Sequence, residues 1–249
     1  MRYLSSIFQD ILPNTRQVGH EISALSADRT FQSLYVQPIL SAIKRENPTT
    51  PFVNGANTKN GVFDTSSGQT LYLWIDLKTD GPTTWPYVLK ELQPLRDAGY
   101  LSTTNGSVVI SNPVTAIGTG NTPISYFQPG SAGYATSQNI RDTFFDASLP
   151  DLNGTQSNIT AAITPIASTQ FSKWFGHVVQ EGLNATQLAL LRSQIAVAHG
   201  KGIGVRYWDQ PGFPIGTRNA IFRTLINEGV DLLNVDDLEG AAGFWENSG

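Results

Sequence analysis

Residues 71–81, LYLWIDLKTDG, form a dense run of aliphatic and aromatic side chains that breaks into polar residues and a glycine. This predicts a β-strand and its exit turn. Behind it, Trp85, Val88, Leu89, Leu92 and Leu95 recur at helical spacing. Thr83 or Thr84 is the expected cap and Gly99 the stop, while Pro94 forces a kink or an early end because it has no N–H to give. The same rhythm returns downstream. Asn184 with Gln187 three residues on predicts a capped helix start, Leu188, Leu191, Ile195 and Ala198 form its apolar stripe, and Gly200 and Gly202 close it. Residues 203–208 then read as a strand. A helix follows from about Gly216, with Ile221, Phe222, Leu225 and Ile226 inward and Gly229 at its end, and residues 231–235 form the next strand. Strand-to-strand spacing is about 30 residues, the length of a βαβ unit.

Residues 114–118 and 141–146 add two shorter runs of strand character, and the Gly/Pro-rich stretch 118–133 is expected to be loop. Alternating strands and helices predict a parallel α/β fold, either a barrel or a doubly wound sheet. No G-x-G-x-x-G follows a strand, since GTGNTP lacks the third glycine, so a barrel is preferred.

Composition narrows the function. Charged residues make up 14% of the 249, below the ~25% of typical soluble domains, while 40% are hydrophobic and 10% aromatic, which argues against disorder. The net charge of −4, without a Lys/Arg cluster, leaves no footprint for nucleic acid. No apolar run approaches the ~18–20 residues of a membrane span. Cysteine is absent, which removes disulfides, thiolate metal sites and cysteine nucleophiles. Four N-x-Ser/Thr sequons, at Asn105, Asn153, Asn158 and Asn184, hint at a secreted or surface-exposed ancestry, although a chain rich in Asn, Ser and Thr makes such triplets freely. The opening MRYLSSIFQDILPNTRQ lacks the apolar core and cleavage site of a signal peptide, so the compartment stays open.

Candidate chemistry gathers at predicted strand ends, where α/β barrels place their active sites. Period-two alternation puts Leu71, Leu73, Ile75 and Leu77 on one face, and Tyr72, Trp74, Asp76 and Lys78 on the face expected to point into a barrel. Asp76 and Lys78 read equally as a metal ligand with a phosphate contact or as a buried ion pair. Asp146, Asp209 and the pair Asp236-Asp237 also close strands. Asp76, Asp209 and Asp236 are candidates to surround a hard cation, with helix or turn capping favoured for Asp209 and Asp237. Of three histidines, His20 is the candidate general acid or base, and His177 and His199 read as surface or structural residues. G-x-S-x-G, H-E-x-x-H and P-loop motifs are absent.

The blocks QVGHEISALSADRTFQSLYVQPILSAIKREN, IDLKTDG, PLRDAGYLS, VTAIGTGNTP, FFDASLPDL, ITPIASTQF and VRYWDQP, with PIGTRNAIFRTLINEGVDLLNVDDLEGAA, resemble the fungal altered inheritance of mitochondria protein six family. That family is similar to glycerophosphodiester and phosphatidylinositol phosphodiesterases of TIM-barrel fold. The resemblance runs from about 17 to 245 within a single expected domain of residues 1–249, with residues 1–16 divergent. It implies a phosphoric diester hydrolase of glycerophosphodiester or phospholipid metabolism that uses two histidines and a divalent cation, Mg²⁺ or Ca²⁺. His20 matches the second histidine, Asp76 a metal ligand, Lys78 a phosphate contact and Trp208 an aromatic substrate contact. The family pattern also places a first histidine and a Glu-x-Asp pair ahead of V-G-H, and the residues before His20 contain neither.

The resulting expectation is a TIM-barrel-like parallel (β/α) barrel incomplete at its N-terminus, short of about two βα units. Residues 1–17 are expected to supply no replacement strands. A fragment, a misplaced start or a noncatalytic barrel that binds a ligand or partner would each explain the departure. A glycoside hydrolase-like barrel is disfavoured, because no Glu stands at a predicted strand end.

Overall fold

The computed structural model describes all residues except 1, 5–7, 10–16, 20–21, 53–58, 129–139, 179–181 and 247–249. In chain order the strands are β1 (Arg2–Leu4), β2 (Phe8–Gln9), β3 (Leu71–Leu77), β4 (Thr103–Thr104), β5 (Val109–Ile110), β6 (Val114–Gly120), β7 (Thr143–Phe145), β8 (Ile166–Gln170), β9 (Gly204–Trp208) and β10 (Leu232–Asn234). The helices are α1 (Gln37–Glu46), α2 (Gly81–Glu91), α3 (Gln93–Asp97), α4 (Phe171–Phe175), α5 (Ala185–Gly200), α6 (Ile215–Asn227) and α7 (Leu238–Glu246). They divide between two compact units, residues 7–145 in one and residues 1–6 with 146–249 in the other.

In the unit of residues 7–145, β2, β3, β6 and β7 form a parallel sheet in that order, and β4 and β5 pair antiparallel beside it in sequence. β3 and β6 run in register over seven pairs, from Leu71↔Val114 to Leu77↔Gly120. Residues 73–77 are all buried, so both faces of β3 are covered. That is the usual state of a parallel strand. α2 starts earlier than its threonines predict. Asp80 is the N-cap and accepts from the Thr83 N–H at 2.9 Å, and Pro82 falls in the first turn, where no N–H is needed. The helix stops at Glu91, and Pro94 sits in the first turn of the separate short α3, which realises the expected early stop. Gly99, at φ +65°, ends the pair.

The other unit is a parallel sheet in the order β1, β10, β9, β8. β8 and β9 pair over five residues, from Ile166↔Gly204 to Gln170↔Trp208. α5 opens with the expected capping box. Asn184 accepts from the Gln187 N–H at 2.9 Å, and Gln187 Oε1 accepts from the Asn184 N–H at 2.8 Å. α6 buries Ile221, Phe222 and Leu225 and is followed by Gly229 at φ +86°.

Two expectations are corrected. The TIM-barrel-like fold is not formed: the parallel strands lie in two separate four-stranded sheets, and no closed barrel occurs among the described residues. Three of the four edge ladders are short, with three residue pairs for β1, two for β2 and three for β7 against five for β8, so each sheet ends as an open edge. The first residues also do more than expected, because β1 and β2 both pair as parallel strands, against β10 and β3. Segments of two and three residues are too short to show a period of two, so the sequence pattern carried no trace of them.

Candidate functional site

The C-terminal end of β3 carries the predicted pair. Period-two geometry sets Asp76 and Lys78 on the same side of the chain. Lys78 Nζ lies 2.6 Å from Asp76 Oδ2, with the carboxylate side chain 8% exposed and the lysine 54% exposed. The ammonium therefore reaches from a buried anion towards solvent. Asp76 Oδ1 is buried and has no hydrogen-bond partner among the described residues.

The neighbouring strand explains why Asp76 Oδ1 is enclosed. It lies against the backbone of Gly120, the last residue of β6 and at φ +64°. A methyl group placed there would overlap Oδ1 and approach the Leu77 carbonyl to 2.6 Å. Glycine is required on both counts, conformation and space. Asn121 then staples the turn after β3. Its N–H donates to the Leu77 carbonyl at 2.7 Å, and its side-chain amide donates to the carbonyls of Lys78 and Thr79, each at 3.0 Å. Gly81, at the start of α2, packs so closely on the Asn121 carbonyl that a side chain there would overlap it. The GTGNTP stretch, set aside as a dinucleotide signature, is thus what holds the Asp76–Lys78 pair.

The other predicted residues fall elsewhere. His20 lies outside the described residues. Trp208 ends β9 in the other unit and is half-buried. Asp76 belongs to one unit and Asp209 and Asp236 to the other, and among the described residues no group of three His, Cys, Asp or Glu is placed to hold a metal ion. Asp237 caps α7 as expected, with Oδ1 accepting from the Gly240 N–H at 2.8 Å and Oδ2 3.2 Å from Arg218. His199, in the last turn of α5, pairs with Asp231 at 2.8 Å.

Asp209 departs from the capping role. It follows β9 at φ +63°, and its Oδ2 accepts from Gln170 Nε2 at 2.8 Å and from the Ser172 hydroxyl. It lines a cavity of about 520 Å³ together with His177, Gln210 and Phe213. Nothing periodic marks these loop residues, and the only available signal was a strand-ending Asp followed by the Pro/Gly-rich DQPGFP. Beneath them lies polar chemistry that the sequence reading also missed. Arg206, buried in the middle of this sheet, donates to Asn234 Oδ1 at 2.6 Å and to Ser168 Oγ at 3.4 Å, one partner on each neighbouring strand. Burial pushes the Tyr207 hydroxyl pKa well above its ordinary value, and that hydroxyl donates to Gln194 Oε1 at 2.8 Å.

The described residues contain no helix long and apolar enough to cross a membrane. The model of the AIM6-like phosphodiesterase domain matches residues 9–146, which include β3, β6 and the Asp76–Lys78 pair. The altered inheritance of mitochondria protein 6 homolog of Arthroderma benhamiae is 50% identical over 236 residues, covering 93% of this chain and 71% of the relative. The altered inheritance of mitochondria protein 6 of Lachancea thermotolerans is 30% identical over 244 residues, 89% of this chain and 55% of that protein. Its counterpart in Eremothecium gossypii is 28% identical over 246 residues, 92% and 60% respectively. The chain thus spans little more than half the length of the latter two. No solved structure matches. With the family's model over more than half of its residues and a 50% identical relative along nearly all of it, the chain belongs to the AIM6-like phosphodiesterase family.

Proposed function

We propose that this chain binds and cleaves a phosphoric diester of the glycerophosphodiester or phospholipid type, with the phosphate held at the end of β3. The observation that carries this reading is a buried carboxylate, Asp76, presenting a half-exposed ammonium, Lys78, at 2.6 Å. Lys78 would neutralise a nonbridging phosphate oxygen, and its charge stabilises the transition state most where that oxygen gains charge. Asp76 orients the ammonium through Oδ2. His20 is proposed as the group that gives or takes the proton at the ester oxygen. Trp208, at the end of β9 in the unit of residues 1–6 and 146–249, is proposed as an aromatic substrate contact, as the family resemblance implies.

The family resemblance implies a divalent cation, and Asp76 Oδ1, buried and unpartnered among the described residues, is a suitable oxygen for one. Mg²⁺ and Ca²⁺ each need several oxygens, however, and the described residues gather no third His, Cys, Asp or Glu beside it. They do not by themselves make a cation site, so no step is routed through a metal.

The test measures binding and hydrolysis of glycerophosphodiesters and lysophospholipids by the purified 249-residue chain. Saturable diester binding is expected, weakened about tenfold or more in Lys78→Met. Turnover is expected, reduced ~10²–10⁴-fold in His20→Ala. Binding without turnover would assign a noncatalytic, ligand-binding role. Diester binding unchanged in Lys78→Met and Asp76→Asn would overturn the site.

A further inference from the structure

The cavity beside Asp209 lies wholly within the unit of residues 1–6 and 146–249, and it makes no use of Asp76 or Lys78. Its volume of about 520 Å³ is that of a small-molecule pocket. It sits past the C-terminal ends of β8 and β9. Phe171 and Val178 are its buried apolar walls, and Pro211 and Phe213 belong to the loop that borders it. Phe171 is fixed from behind by Phe175 and Tyr207, with ring centroids at 4.7 and 6.3 Å. Phe213 is 81% exposed, a large aromatic side chain left at the cavity with most of its surface in water.

The charge lining this space is one-sided. Among the described residues no lysine or arginine lines it, Asp209 is the one carboxylate and His177 the one imidazole. Among the described residues that carboxylate is held on one oxygen, since Gln170 and Ser172 both donate to Oδ2. Asp209 stands at φ +63°, a conformation that L residues other than glycine adopt only at a cost in free energy. A backbone kept in that region beside a cavity is the kind of outlier that accompanies ligand sites. An oriented anion and an exposed aromatic ring, with His177 as the one basic side chain among the described lining residues, favour a cation over phosphate or carboxylate. They suit a cationic group that carries alkyl surface, attracted by the carboxylate and by aromatic faces.

We infer that this cavity binds the ammonium group of a small organic amine, with Asp209 as its counter-ion and Phe213 as an aromatic wall. The inference does not rest on the phosphodiesterase reading, because it uses none of that site's residues. The probes are choline, tetramethylammonium and 3,3-dimethylbutanol, the last being the uncharged carbon isostere of choline, with glycerol and myo-inositol as neutral polyols. Binding to the 249-residue chain is followed by calorimetry and by amide chemical-shift changes.

Choline and tetramethylammonium are expected to bind with Kd on the order of 1 mM, and 3,3-dimethylbutanol at least about tenfold more weakly. Asp209→Asn removes the charge while keeping a residue that tolerates positive φ, and it should weaken choline about tenfold or more. Phe213→Ala, at an exposed position, should weaken it severalfold. Asp151→Asn, a carboxylate outside the cavity, should leave it unchanged. Equal affinity for choline and its neutral isostere would overturn the inference. So would choline affinity unaffected by both Asp209→Asn and Phe213→Ala, polyol binding in preference to ammonium, or no saturable binding of either cation. The isostere comparison and Phe213→Ala decide the matter even if Asp209→Asn does not fold.

Discussion

β3 and β9 occupy equivalent places in their sheets, each a parallel strand with a paired neighbour on both sides, and each leads into an aspartate at its C-terminal end. The two aspartates nevertheless differ in every physical respect. Asp76 is still inside its strand, so the residue two positions on, Lys78, lies on the same side and brings an ammonium to 2.6 Å. Asp209 is one residue past its strand and at φ +63°, so the chain swings away and the residue two positions on is Pro211. The first carboxylate is buried and paired with a cation, whereas the second is exposed and held by neutral donors from Gln170 and Ser172. One strand end therefore presents a positive charge and the other a negative one. A difference of two residues in where the strand stops relative to its aspartate decides which ligands each end can attract.

Breaking the first end should cost most. Gly120→Val puts a branched side chain at positive φ against Asp76 Oδ1 and the Leu77 carbonyl, and is expected to destabilise by about 3 kcal/mol or more in urea unfolding. Gly212→Ala, in the loop after Asp209 with open space around it, should change stability by less than about 0.5 kcal/mol. Comparable losses in both variants would erase the distinction between a packed end and an open one.

Next in size is the charge itself. Lys78→Met leaves Asp76 buried beside no cation, with an expected loss of about 1–2 kcal/mol, less than for a fully buried pair because the lysine is half in water. Asp209→Asn should stay within about 0.5 kcal/mol of the parent. Urea midpoints at neutral pH compare the two directly. The strain at Asp209 gives a finer measure. Asp209→Gly should be more stable than Asp209→Ala by about 1 kcal/mol, since both lose the same hydrogen bonds and only glycine accepts φ +63° freely. Equal stabilities would mean that the backbone relaxes once the side chain is gone.

The smallest effect is a pH dependence shared by both units. Hydrogen bonds from Thr83 hold the Asp80 carboxyl pKa below its ordinary value, and the Arg192 guanidinium does the same for Glu228, with its Nε and Nη2 each donating at 2.7 Å. A carboxyl with a lowered folded-state pKa stabilises fully above its unfolded value. It loses that contribution as pH falls through the lower folded one, hence below about pH 4. The stability difference between the parent and Asp80→Asn should therefore be flat above pH 5 and change only in acid. A change between pH 6 and 8 would implicate other groups. The Glu228 contribution should also shrink with added salt, because both partners are at the surface.

Local chemistry was legible wherever it involved neighbours in sequence. The capping box of α5, the glycine stops at Gly99 and Gly229, and the apolar stripe of α6 depend on residues three to five apart, and the structure holds each of them. The pairing of Asp76 with Lys78 belongs to the same group, because two residues on one side of a strand meet whatever the rest of the fold does. The α2 cap was misplaced by one turn because Asp80 and Thr83 are both good capping types. Deciding between them required knowing that Gly81 packs on the Asn121 carbonyl.

By itself, then, the sequence determined an α/β chain of parallel strands, the positions of its long helices and one charged pair at a strand end, because helix and strand periods and caps are written in adjacent residues. Tertiary structure alone decided how the strands divide into sheets, that two- and three-residue segments near the start complete them, and that Gly120 encloses Asp76. It also decided that Asp209 opens onto a cavity with Phe213 and His177. Each of these joins residues dozens to hundreds of positions apart through backbone pairing or loop placement. Such contacts form for their combined energy in the fold and leave no period in the chain.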